Sequence, residues 1–185
     1  MNTEKLIKTG RQTAIISFII GTCIFGLYFF SSSDILLFIG YGFIVLAGIT
    51  NFILFVLLLT RIYYDKTYKH KILSTCRFML INIPVMIIYI WISIILLNTM
   101  RITFINNSKT TYTDIQIIGC ETESIKKLEA GESKTVWIGI TGDCSLSIFY
   151  VKNGVKKSET VMSYVTNNMG QKLSYTIENG SEIIF

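Results

Sequence analysis

Few residues in this chain of 185 are of types that do chemistry. The most suggestive are two cysteines bracketing GCETESIKKLEAGESKTVWIGITGDC, residues 119–144. Cys120 and Cys144 could form a disulfide, share a metal, or be unrelated small core thiols. A structural zinc takes four ligands, mostly Cys and His. The single histidine, His70, has no Cys, His or acid cluster at ligand spacing beside it, so no metal role is assigned to it. The region after residue 100 contains no histidine at all, which removes a Ser-His or Cys-His nucleophile there. Two carboxylate pairs remain, Glu121 with Glu123 and Glu129 with Glu132. Both fall in turn-like sequence, where paired acids form a solvated rim, and a glycosidase dyad would need a deep cleft. GESKT, beginning at Gly131, lacks the leading glycine pattern and the strand-to-helix setting of a phosphate-binding loop. No enzyme activity and no cofactor are expected.

The elements that must position these residues divide at about residue 100. Charged residues make up only 16% of the chain, against about 25% in soluble domains. Three apolar runs, residues 13–30, 35–60 and 78–97, contain no Asp, Glu, Lys, Arg or His. About 20 apolar residues span a bilayer, and a soluble helix would show a polar stripe that these lack. Three transmembrane helices are predicted at about 13–30, 35–60 and 78–97, making 13–100 the membrane region. Pro84 should kink the third helix. Asn51 and Asn82 are the only amides in the runs, and are expected to make interhelical polar contacts. The spacings Ser17/Gly21 and Gly40/Gly48 suit close helix packing. Without intramembrane ionisable groups or an inverted repeat, a secondary transporter is not expected. A pore of oligomerised helices stays open as the alternative.

Charge sets the orientation. The first hundred residues hold eight Lys or Arg and three acids, the remainder nine of each. The excess of cations therefore flanks the helices and is not a nucleic-acid footprint. Lys5, Lys8 and Arg11 mark a cytoplasmic basic tail, residues 1–12, and the basic segment 61–77 a cytoplasmic loop; SSSD, starting at Ser31, has no cation. The C-terminal region is thereby placed outside, periplasmic or extracellular, with the chain a multi-pass protein of the inner or plasma membrane. An 18-residue apolar run is long for a signal peptide, and Cys23 lacks a lipobox. In the loop, Tyr63, Tyr64 and Tyr68 with Lys66, Lys69 and Lys71 are assigned as membrane-interface anchors, with lipid as partner.

Beyond residue 100 the period changes to two. RITFI, DIQII, KTVWIGI, SLSIFYV, TVMSYVT, KLSYTI and SEIIF alternate with turn-forming segments. Asn153-Gly154 and Asn179-Gly180 signal hairpins. Seven short strands in residues 101–185 predict a small all-β, immunoglobulin-like sandwich as the exterior domain. Trp137 is expected in its core. Asn106 and Asn179 open N-x-S sequons.

The pieces INNS, KKLEAGES, GDCSLSIFY and SYVTNNMG resemble the C-terminal domain of small bacterial inner-membrane proteins in which transmembrane helices precede a periplasmic β-sandwich. Ser163 stands where that pattern has glycine. The resemblance implies a fold and an envelope location, and carries no catalytic residues. The reading overall is a non-enzymatic membrane protein presenting an exterior β-domain to another envelope protein. A toxin-immunity factor and an accessory subunit of a membrane complex are two versions of it, and homo-oligomerisation stays open. In an oxidising exterior the expectation for Cys120 and Cys144 is a disulfide, closing a loop of about 25 residues worth about 3 kcal/mol; two core thiols are the alternative.

Overall fold

The structure, a computed structural model, describes residues 2–183 and the side chains of residues 2–180. It divides into two compact units, Met1–Ile92 and Ser93–Phe185.

The first unit is helical. Helix α1 spans Thr3–Ser31 and α2 spans Asp34–Tyr64. A single 3-10 turn, Lys66–Tyr68, leads into α3, Lys69–Leu80, and α4, Asn82–Leu97, follows. Three stretches are long and apolar enough to cross a membrane: Thr3–Ser31, Asp34–Tyr64 and Lys66–Leu97. Their outer faces present Phe30, Phe38, Leu46 and Phe52, each more than 60% exposed. Surfaces of that kind suit lipid as the surrounding solvent.

Two boundaries differ from the sequence reading. The basic tail is helical from Thr3, because Asn2 caps the helix by accepting a hydrogen bond from the Glu4 N–H at 3.3 Å. The basic segment 61–77 is helical too, apart from Asp65 and the 3-10 turn. Its second half is amphipathic: Ile72, Thr75, Cys76 and Met79, spaced by three and four, form the buried face of α3. Ile72, Cys76 and Met79 pack with Leu6, Ala14 and Leu58 in one hydrophobic cluster. The expected kink appears as a break at Ile81 between α3 and α4. Pro84 has no N–H to offer the Leu80 carbonyl four residues earlier, so the helix cannot run through unbroken.

The second unit holds eight strands: β1 Thr99–Ile105, β2 Tyr112–Ile118, β3 Glu123–Leu128, β4 Ser133–Gly139, β5 Cys144–Lys152, β6 Val155–Val165, β7 Lys172–Thr176 and β8 Gly180–Ile183. They form two four-stranded sheets, ordered β4-β1-β7-β8 and β3-β2-β5-β6. All pairings are antiparallel except β1 with β7. One hydrophobic cluster draws on both sheets, with Met100, Ile102, Phe104 and Ile138 from the first and Ile115, Ile117, Leu146 and Ile148 from the second.

Strand β3 was not expected, and its pattern explains why. Asp114 adopts a left-handed φ of 50° within β2, and the register against β5 shifts between Thr113 and Gln116. This bulge puts Tyr112 and Ile115, three residues apart, on the same buried side; opposite them Ile125 and Leu128 are also three apart. The alternation that betrays a strand is therefore lost where β3 pairs. The hairpin at Asn153-Gly154 is as expected, with both residues at positive φ, 51° and 77°, as a primed two-residue turn requires. At the β7–β8 turn the left-handed residues are Glu178 and Gly180, so Asn179-Gly180 is not its central pair.

Trp137 corrects another expectation. It lies outward on β4, 47% exposed, while its neighbours Val136 and Ile138 point to the core. The Arg101 guanidinium sits 5.5 Å from its ring centre on the adjacent strand.

Candidate functional site: a disulfide, a carboxylate clasp and the helix amides

Cys120 and Cys144 are joined by a disulfide, with Cα atoms 5.3 Å apart. Cys120 follows β2 and Cys144 opens β5, and these two strands pair with each other. The intervening loop carries β3 in one sheet and β4 in the other, so the bridge closes the chain's excursion between sheets. Gly119 makes the approach feasible. Its φ is +122°, and a Cβ there would stand 1.5 Å from the Ser145 carbonyl oxygen. Cys23 and Cys76 are free thiols.

The strongest polar constellation of the unit was not anticipated from the sequence. Glu159 of β6 accepts hydrogen bonds from the Tyr150 hydroxyl of β5, the Tyr175 hydroxyl of β7 at 2.7 Å, and the Glu178 N–H at 3.1 Å. Glu178, in the β7–β8 turn, accepts from the Tyr112 hydroxyl at 3.0 Å and from Lys152 and Lys157 at 2.6 and 2.7 Å. The Tyr112 and Tyr150 rings meet edge to face at 5.1 Å. Two carboxylates thus clasp one sheet to the other.

The electrostatics follow from these partners. Lys152 first, then Lys157, holds the Glu178 carboxyl down at about 2. Burial, then the hydrogen bond to Glu159, pushes the Tyr150 and Tyr175 phenols above their ordinary range. The phenols stay protonated donors and both carboxylates are occupied, an arrangement suited to holding strands together. One signal was legible in principle. Glu159 is two residues before buried Val161 on β6, so the alternation turns an acid inward, where it must find donors.

The acids singled out from the sequence are not gathered into one site. Glu121 accepts from the Gly139 N–H at 3.0 Å, and Glu132 from the Glu129 N–H at 2.7 Å across its turn. Glu129 pairs with Lys127 at 2.6 Å. Asn106 is fully buried. Its amide donates to the Thr110 and Leu128 carbonyls and its oxygen accepts from the Ser108 N–H and hydroxyl. That side chain is a loop brace with its nitrogen committed; Asn179 is exposed. Among the described residues no group of three or more His, Cys, Asp or Glu could hold a metal ion.

In the helical unit the two amides both turn to α1. Asn51 donates to the Ser17 hydroxyl at 3.0 Å and to the Ala47 carbonyl at 2.8 Å; Asn82 donates to the Ala14 carbonyl at 2.9 Å. Tyr89 of α4 adds a hydroxyl contact to Thr22 at 3.0 Å and stacks on Phe25 at 4.3 Å. Of the small residues expected to allow close packing, Gly21 faces Phe43 and Gly40 faces Ile24, whereas Gly48 faces no neighbour within 4 Å. The closest approach is at Gly10, where a Cβ would come 2.9 Å from Leu58.

The six anchor residues occupy the α2–α3 junction. Tyr63 and Tyr64 are 82% and 75% exposed, and Lys66, Lys69 and Lys71 are exposed. Tyr68 is half-buried, donates to Glu4 at 3.3 Å, and has the Lys71 ammonium 5.8 Å from its ring centre. The neighbouring Asp65 accepts a hydrogen bond from Thr3.

No protein-family model and no curated protein matches the chain. Among solved structures, the NMR structure of a protein from Eubacterium rectale is similar at 12% identity and a TM-score of 0.35, over 46% of this chain and 88% of that one.

Proposed function

We propose that the chain is a membrane-anchored, non-enzymatic binding protein. Its three apolar helices hold an immunoglobulin-like β-sandwich at the outer face of the cytoplasmic membrane, where it engages another envelope protein. Such a partner is a toxin delivered to that compartment or a membrane complex needing an accessory subunit. The observation that carries the reading is the joining, in one chain, of three apolar spans to a disulfide-closed, two-sheet region whose clasp carboxylates are occupied by its own tyrosines, lysines and backbone. The sandwich is supported by the hydrophobic cluster shared by both sheets. The exterior placement is supported by the cations flanking the first and third apolar runs and by the disulfide, a bond that persists in oxidising compartments. A pore is disfavoured by the Asn51 and Asn82 side-chain N–H groups, which donate to α1.

Affinity purification of the full chain from mild detergent tests this. A stoichiometric protein partner that survives washing, and is lost when the β-region's surface residues Trp137 and Phe149 are changed to Ser, supports it. Recovery of no partner, together with ion flux in liposomes that Asn51→Leu with Asn82→Leu abolishes, replaces it with a channel.

A further inference from the structure

A cavity of about 340 Å³ opens in the helical unit between α1 and the α3–α4 segment. Its polar lining consists of Arg11, His70, Ser74, Thr75 and Arg77, and its apolar lining includes Leu73 and Phe78. No acid lines it, and among the described residues no ion pair involves Arg11, His70 or Arg77. The Arg11 guanidinium lies 5.8 Å from the centre of the Phe78 ring, within cation–π range. The nearby acids are committed elsewhere, Glu4 to Tyr68 and Asp65 to Thr3.

The depth of this cavity is fixed by the sequence. Arg11 precedes the first apolar run by two residues, and Arg77 immediately precedes the third. The contacts Asn82 to Ala14 and Tyr89 to Thr22 show that α1 and α4 run in the same direction. Both guanidiniums therefore lie at one level, where the apolar runs begin and lipid headgroups would sit. Guanidinium groups match phosphate oxygens with paired N–H donors, and basic pockets between spanning helices take anionic headgroups.

We propose that this cavity binds the phosphate of an anionic phospholipid. Arg11 and Arg77 contact the phosphate oxygens, Ser74 and His70 donate to the headgroup, and Leu73 and Phe78 receive the start of an acyl chain. The assignment needs the helices to span a membrane but not the β-region to bind a partner, so it stands or falls separately from the proposed function.

Native mass spectrometry of the full chain in mild detergent, titrated with phosphatidylglycerol, phosphatidylcholine or inorganic phosphate, tests it. Phosphatidylglycerol should bind at one saturable site. Arg11→Gln with Arg77→Gln should weaken that binding about 30-fold, roughly fivefold per cation removed, with the thermal melt unchanged. Arg11→Lys with Arg77→Lys should retain most of the binding and guards against a folding artefact. Lys126→Gln with Lys134→Gln removes the same charge from exposed positions of the β-region that do not line the cavity, and should change binding less than about threefold. Equal weakening by the lysine pair, or equal binding of phosphatidylcholine, would overturn the site. Displacement of the lipid by micromolar inorganic phosphate would make it a soluble-anion site and overturn the lipid assignment.

Discussion

Replacing both bridge cysteines, Cys120→Ser with Cys144→Ser, should lower the stability of the β-region by about 3.5 kcal/mol. The sequence separation of 24 closes a loop whose entropy in the unfolded chain falls by about 12 cal/mol/K, or about 3.5 kcal/mol at 25 °C. Little native contact is lost, because Ile118 and Ser147 already pair beside the bridge in the β2–β5 ladder. The effect therefore acts through the unfolded state, where the segment carrying β3 and β4 is freed from its anchor. With an unfolding entropy of about 2.1 cal/mol/K per residue, the unit Ser93–Phe185 should melt about 18 °C lower. Near-ultraviolet circular dichroism of the full chain in detergent reads this transition through the packed rings of Tyr112, Tyr150 and Tyr175. Wild type with reductant should superimpose on the double variant. A shift below about 4 °C, the scale of a single kcal/mol in a domain this size, or a reduced wild type far from the variant, would refute the chain-entropy reasoning.

Other outcomes follow from particular residues. Glu178 has a folded pKa of about 2, depressed by Lys152 and Lys157. Its stabilising contribution is fully present above the unfolded value near 4.5 and is lost as pH falls toward 2. Denaturant midpoints should therefore drop more steeply for wild type than for Glu178→Gln between pH 5 and 2, by on the order of 1 kcal/mol once solvent screening is allowed for. Gly119→Ala places a side chain at φ +122° against the Ser145 carbonyl. It should cost about 3 kcal/mol or more and lower the fraction of oxidised protein on a non-reducing gel. Asn51→Leu with Asn82→Leu removes two bonds to α1, each worth about 0.6 kcal/mol in membrane helices. It should lower the detergent-resistance midpoint of the helical unit and leave the β-region's melt unchanged.

What could be read from the sequence follows the physics of each element. The apolar runs became the three candidate spans, because uninterrupted hydrophobicity over about 20 residues leaves a helix little alternative. The helices run past the apolar runs into charged sequence. Asn2 capping carries α1 through its basic turn, and one buried face carries α3 through Lys69, Lys71 and Arg77. Seven strand-like runs stood out by alternation; the eighth was hidden by the bulge at Asp114. Trp137 continues the alternation of β4 but in the outward phase, since Val136 and Ile138 occupy the inward positions. The clasp was invisible to motif reasoning because its members come from β2, β5, β6, β7 and a turn, with no fixed spacing. Only the inward acid Glu159 hinted at it. The basic cavity was hidden for a related reason, since Arg11 and Arg77 come together only when α1 and α3 pack.

The proposed orientation puts the β-region outside the membrane, on helices anchored by a cytoplasmic basic junction. Cysteine mapping in intact cells tests this most directly, with Cys23→Ala and Cys76→Ala leaving only the bridged pair. Lys126 of β3 and Lys69 at the start of α3 are both exposed, and each is changed to Cys in turn. A membrane-impermeant maleimide should label Lys126→Cys before lysis and Lys69→Cys only after it. Labelling of Lys69→Cys in intact cells, with Lys126→Cys protected until lysis, would contradict that orientation.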